Sequence, residues 1–254
     1  MPCKMTDRLF SLHNHTPFSV GAFTADEVVQ AHLDNAGVPV AGVGISDYLF
    51  RTPTSREPDN ERDFERMFGK EAREYVAMVR DVRERWAGKV EVFCGAEINW
   101  PLNRGMLDAM RTLLDGIDYL LFSHVDWAGL TQLANQARRW PCAVGLCQTE
   151  IEKQFPNTSR EQVVRTLANA RIFYEIDAAF LPLRDNDPWY NLLPQHRVAV
   201  SLGCDTHDDL KCVSALRVLY EFVQRRGLHA RMLDPSNNFA AAPRGNGGPG
   251  SARA

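Results

Sequence analysis

A chain of 254 residues, 44% hydrophobic and 24% charged, is long enough to bury a sizeable core and still form one domain. Its net charge of −3 and scattered basic residues argue against a duplex-binding surface or an electrostatic membrane anchor. The six cysteines form no C-x-x-C pair, no signal-peptide pattern precedes them and no apolar run could span a bilayer. The expected setting is therefore the cytoplasm, with reduced thiols.

Short apolar runs alternate with amphipathic segments, the pattern of βα units around a parallel sheet or barrel. Strands are expected at Leu9–His15, Val40–Ser46, Val90–Ile98, Tyr119–His124, Ala143–Cys147, Arg171–Ile176 and Val198–Cys204. The first helix should start at Thr24, with Glu27 at capping-box spacing. The longest covers Glu61–Trp86, and its Glu and Arg residues recur at salt-bridging intervals. Further helices are expected over Met106–Asp115, Ser159–Ala170 and Leu210–Arg226, and Arg51–Asn60 reads as a polar loop. Residues 1–235 thus form one barrel-like α/β domain, and the Gly-, Pro- and Ala-rich segment 236–254 is expected to be a disordered tail.

Active sites of α/β barrels lie at the C-terminal ends of the strands. His13 and His15 end the first strand, and their i, i+2 spacing turns both imidazoles to one face. The second ends in Asp47-Tyr48, the third delivers Glu97, the fourth His124 with Asp126 beyond, the sixth Glu175 and Asp177, the seventh Asp205 and His207. A Glu or an Asp-x-His at a strand end is ordinary alone. Together on one rim these groups are hard to explain as packing, and imidazole with carboxylate suits Zn, Mn or Fe.

The ordered set His13-Asn14-His15-Thr16, Gly95-Ala96-Glu97-Ile98-Asn99, Ser123-His124 and Gly203-Cys204-Asp205-Thr206-His207 resembles the polymerase and histidinol phosphatase (PHP) family, over about residues 9–210. The resemblance implies a distorted (β/α)7 barrel and a metal-dependent phosphoesterase. It implies a first ion held by His13, His15, Glu97 and Asp205, with Glu97 bridging to a second held partly by His124. His207 would belong to a third site or to the substrate pocket. The chain departs from the family pattern at Tyr48, where His is usual, at Gly21, and at Cys147-Gln148, where the fifth strand usually ends in His-Pro. One or two ions per chain are therefore expected.

The implied mechanism is attack on phosphorus by a metal-bound hydroxide. His207 or Tyr48 would protonate the leaving group, and Tyr48 could alternatively be a weak ligand or fill a vacated metal position. Arg51, Arg104, Arg184 and Lys211 follow strand ends and are candidate phosphate ligands. Trp100 and Trp127 either wall the pocket or cap apolar layers, while His32, His196 and His229 read as structural or surface residues. The expected partner is a small phosphorylated metabolite or nucleotide, with neither a membrane nor a nucleic acid. Two alternatives stay open: a metal-dependent hydrolase of a non-phosphate bond, and a non-catalytic binding module on the same fold.

Overall fold

Strands that are buried on both faces read as continuous apolar runs, and all seven runs are strands in the computed structural model, which describes residues 8–50, 58–178 and 187–235. They are β1 (Leu9–Ser11), β2 (Val40–Ile45), β3 (Glu91–Asn99), β4 (Tyr119–Ser123), β5 (Ala143–Cys147), β6 (Phe173–Asp177) and β7 (Val200–Gly203). All pair in parallel and in chain order, and β7 closes on β1 through Ser11 and Leu202. The fold is a closed (β/α)7 barrel. The expected tail 236–254, Arg51 and Arg184 lie outside the described residues.

The first strand is shorter than expected. Regular pairing ends at Ser11, but the chain through His15 stays wedged between its neighbours. Asp205 N–H donates to His13 O at 2.9 Å, Ser46 N–H to Asn14 O at 2.8 Å, and His15 N–H to Thr206 O at 3.1 Å. The paired histidines thus sit on backbone fixed from both sides.

The helices follow their caps. Thr24 and Glu27 form the full capping box of α1 (Ala25–Asn35), and Asn60 caps α2 (Glu61–Trp86). The helix expected over Met106–Asp115 breaks after a single turn, α4 (Leu107–Met110), into a 3₁₀ turn; an equally short helix, α3 (Trp100–Asn103), precedes it. α5 (Trp127–Gln136) was not expected, although Asp126 caps it by accepting from Gly129 N–H at 2.8 Å. A short α6 (Ile151–Gln154) and α7 (Arg160–Ala170) follow, then the unexpected α8 (Trp189–Gln195) and α9 (Ala215–Arg225) behind a 3₁₀ turn.

Two apolar layers result. The larger lies between strands and helices. The smaller fills the barrel's interior with Phe10, Leu12, Phe93, Tyr119, Leu121, Cys147, Phe173 and Leu233. A narrow barrel takes such large rings only where the facing strands carry no side chain. A Cβ on Gly44 would overlap the Tyr119 hydroxyl, and one on Gly145 the Phe173 ring. Each fully buried ring contributes roughly 1.5–3 kcal/mol.

Tyr75 of α2 organises the side of the barrel that carries Glu97. The β2–β3 ladder runs to Ile45 and Cys94 and resumes at Tyr48 and Glu97. In the gap, the buried Tyr75 hydroxyl lies 2.8 Å from Ile45 O and 2.7 Å from Gly95 O, and accepts from Asp47 N–H at 3.1 Å. Tyr75→Phe leaves these backbone groups short of a partner, so urea unfolding should give a stability loss of about 1–3 kcal/mol.

His32 of α1 is buried, with Nδ1 2.8 Å from Val28 O and Nε2 3.0 Å from Ser11 Oγ. Burial, only partly offset by the bond to Val28, lowers its pKa from 6.5 to about 4. The neutral folded form therefore contributes stability that is present above pH 6.5 and lost as pH falls toward 4. Between pH 7 and pH 4 the wild type should lose about 3 kcal/mol relative to His32→Gln, measured by denaturant unfolding at each pH.

Candidate metal centre

Four side chains from three parts of the barrel aim one donor atom each at a single point on its C-terminal rim. His13 and His15 come from the extension of β1, Glu97 from β3 and Asp205 from the turn after β7. His13 Nε2 lies 2.8 Å from Glu97 Oε2, 3.2 Å from His15 Nε2 and 3.4 Å from Asp205 Oδ1. His15 Nε2 lies 3.2 Å from Glu97 Oε2 and 3.3 Å from Asp205 Oδ1. Bond lengths of 2.0–2.1 Å in a tetrahedral zinc site imply donor separations of about 3.3 Å. The donor set therefore fits a small divalent ion in both spacing and chemistry. His13, His15 and Glu97 are fully buried, and the centre opens on the side of Asp205 and His207, whose side chains are 23% and 37% exposed.

The ring nitrogens that face away from the centre are also held. His13 Nδ1 lies 2.9 and 3.1 Å from the two oxygens of Glu175, which fixes the proton on Nδ1 and leaves the Nε2 lone pair facing inward. His15 Nδ1 lies 3.4 Å from Ser19 Oγ, and Ser19 donates to Asp47 Oδ1 at 2.5 Å. Asp47 also accepts from Thr16 N–H at 2.7 Å and Thr16 O–H at 2.6 Å. Gly21 closes this turn against the backbone of His15, where a Cβ would come within 2.5 Å of the His15 carbonyl. A side chain at position 21 is thus excluded by contact with the site's own backbone.

Burial works against charge throughout the centre and is overcome by the neighbours. The charges of Glu175, Asp205 and Glu97 outweigh desolvation and raise the pKa of His13, and hydrogen bonds to Asp205 and Glu97 do the same for His15. Against the same penalty, His13 and then His15 hold Glu97 well below the usual carboxylate range, as they do Asp205. Glu175 goes the other way, pushed up to about 7 by burial despite the charge of His13. The field at the meeting point of the four donors thus favours positive charge. Glu97 Oε1 is buried with no hydrogen-bond partner among the described residues, a further oxygen suited to a cation.

Other expected site residues distribute unevenly. His207 Nε2 lies 2.9 Å from Asp205 Oδ1, and its ring centroid is 4.5 Å from that of His15. Tyr48 stacks on His15 at 5.0 Å, and burial, then the charge of Glu97, raises its pKa, so the phenol keeps its proton. Gln148 donates to Asp205 Oδ2 at 3.0 Å. Cys147 is buried in the interior cluster, and burial keeps its thiol protonated; it is not among the converging donors.

His124 is exposed and likewise absent from that group. Tyr119 and Leu121 face the interior, so period-two alternation gives the next inward position to Ser123, and the chain turns left-handed at His124 with φ 59°. Arg104 pairs with Asp126 at 2.8 Å rather than standing open for phosphate, and Lys211 is exposed. Trp100 is buried in the outer layer with Trp127 packed against it, so both cap apolar surface. His32 and His196 lie away from the centre, with His196 3.0 Å from Glu161. Glu175 had no assigned role from sequence. Its signal was a carboxylate two residues before Asp177 in an otherwise apolar strand.

No family model and no curated protein matches this sequence. Solved structures do resemble it. The histidinol phosphate phosphatase HisK of Lactococcus lactis, complexed with zinc, L-histidinol and phosphate, aligns over 86% of this chain and 94% of its own, with TM-score 0.57 and 12% identity. HisK of Listeria monocytogenes aligns over 78% of this chain and 95% of its own, with TM-score 0.51 and 14% identity. At these identities the shared property is the barrel fold.

Glu175→Gln keeps the side chain's size and removes the charge that orients His13. Zinc affinity, measured by chelator competition, should fall roughly 10- to 100-fold.

Proposed function

We propose that this protein is a metal-dependent phosphoesterase acting on a small phosphorylated metabolite or nucleotide. The observation that carries the reading is the convergence of His13, His15, Glu97 and Asp205 at coordination spacing on the rim of a closed barrel. The zinc, histidinol and phosphate bound by the Lactococcus lactis HisK, whose fold is similar, support a small phosphorylated substrate.

In this reading the four donors hold one divalent ion, and Glu97 Oε1 offers an anchor for a second. A bound divalent ion supplies positive charge for phosphoryl oxygens and lowers the pKa of water toward neutrality. This chain's residues do the rest. Glu175 and the Asp47–Ser19 pair hold the two imidazoles with their lone pairs inward. The buried floor of Leu12, Tyr119 and Phe173 excludes water from below, so substrate approaches from the Asp205 side. His207, partly exposed there and held through Nε2 by Asp205, is the group that would pass a proton to the leaving oxygen. Tyr48, protonated and stacked on His15, is the second donor in reach of the centre. Lys211, in the segment just after His207, would attract the phosphate.

A second reading is hydrolysis of a non-phosphate bond, toward which the surface pairing of Arg104, an expected phosphate ligand, with Asp126 points. Both readings are separated by elemental analysis and a substrate panel. Protein purified without chelator should carry one or two ions per chain, falling to background in His13→Ala, and should hydrolyse phosphomonoesters. Bound metal with activity only on esters or amides would transfer the site to the second reading. Absence of metal after supply of zinc and manganese would overturn both.

A further inference from the structure

Gln148 directly follows β5 and Asp205 closely follows β7, and both adopt left-handed backbone, with φ 47° and 50°. That region is costly for a residue with a Cβ, and such outliers point to function when the surrounding structure sustains them. Here the turn carries the Gln148 amide past β6, the strand between, to Asp205. Nε2–H donates to Asp205 Oδ2 at 3.0 Å, and Gln148 O accepts from Gln154 Nε2–H of α6 at 3.3 Å. The other oxygen, Oδ1, is left turned toward His13 Nε2, His15 Nε2 and His207 Nε2 at 3.4, 3.3 and 2.9 Å.

A carboxylate with both oxygens available can bind an ion through either or both, and larger, oxygen-preferring ions gain most from the second. An amide that occupies one oxygen limits the carboxylate to a single ligand atom. The amide is neutral, so it does this without cancelling the charge that attracts the ion. We propose that Gln148 is a positioning residue that sets the metal preference of the centre. By engaging Asp205 Oδ2 it holds Asp205 to one oxygen beside the two imidazole nitrogens and Glu97 Oε2, which favours four-coordinate zinc over manganese. The inference rests on the metal-centre reading above and adds to it a residue that touches no ion.

The test measures zinc and manganese dissociation constants by competition with a chromophoric chelator, together with thermal unfolding of the metal-free protein, for wild type, Gln148→Gly and Gln148→Met. Methionine keeps the length of the side chain and removes the donor; glycine also relieves the left-handed backbone. Zinc should weaken roughly 10- to 100-fold in both variants, manganese should weaken less, and metal-free Gln148→Gly should unfold no lower than wild type. A zinc-to-manganese affinity ratio unchanged in both variants would overturn the proposal. So would equal weakening of both metals accompanied by a lower unfolding temperature in both variants, since that is what a purely structural glutamine predicts. A wild type that binds neither metal fails at the earlier step, and the metal-centre reading falls with this one.

Discussion

The constraint on which the rim depends is the burial of ionised carboxylates. Moving an unpaired carboxylate out of water costs several kcal/mol, and the cost is offset only by nearby positive charge and hydrogen bonds. Glu97 is fully buried, and Asp205 is largely so. Their shared recourse is the pair of imidazoles, whose Nε2 atoms lie within 3.4 Å of both carboxylates. That requirement fixes the relative height of β1, β3 and β7, because a one-residue slip in any of them would turn its donor away from the interior. It also explains why the outward-facing ring nitrogens are tied to Glu175 and Ser19: a ring free to flip would turn its Nε2 away from both carboxylates.

The barrel interior makes this arrangement one-sided. Below the donors the space is filled by aromatic rings set against glycines, and Tyr119 donates its hydroxyl to Leu12 O just before the first histidine. Gly203 leaves room for the Glu175 carboxylate, since a Cβ there would come within 2.6 Å of it. The dry floor strengthens every electrostatic interaction above it. Among the described residues, the partly exposed groups beside the centre are Asp205, His207, Tyr48 and Gln148, the side on which proton transfer to a leaving group would be needed.

Much of this was legible in the sequence, for identifiable reasons. Barrel strands announce themselves because both faces are apolar, and the breaks in that rule, His13, His15, Glu97 and Asp205, are the converging donors. The two capped helices α1 and α2 were equally plain. Legibility failed where a contact depends on closure. Glu175 meets His13 and Gln148 meets Asp205 across strands far apart in the chain, and no local pattern encodes that geometry. His124, expected at a second ion, lies apart from the four converging donors. Its residue type outweighed the period-two alternation from Tyr119, which already assigned the inward position to Ser123. Arg104 read as open because its partner, Asp126, belongs to the cap of a helix that the apolar pattern did not reveal.

Left-handed backbone occurs at both ends of the barrel, with different consequences for the site. At the turns that lead into β2, β3 and β4, positive φ is taken by Gly37, Gly88 and Gly116, the residue type that adopts it without steric cost, and ahead of β6 and β7 by Arg171 and Arg197. At the opposite end, just past β2, β4, β5 and β7, the same conformation is taken by Phe50, His124, Gln148 and Asp205. Each of these carries a conformational cost of order 1–3 kcal/mol that a glycine would avoid. Glycine at Asp205 would delete a donor, and glycine at Gln148 would free the second oxygen of that donor. The end of the barrel that only has to fold uses glycine at three of its turns. At the rim, Gln148 and Asp205 keep the side chains that shape the centre, and the packed floor beneath supplies the stability that lets their strain persist.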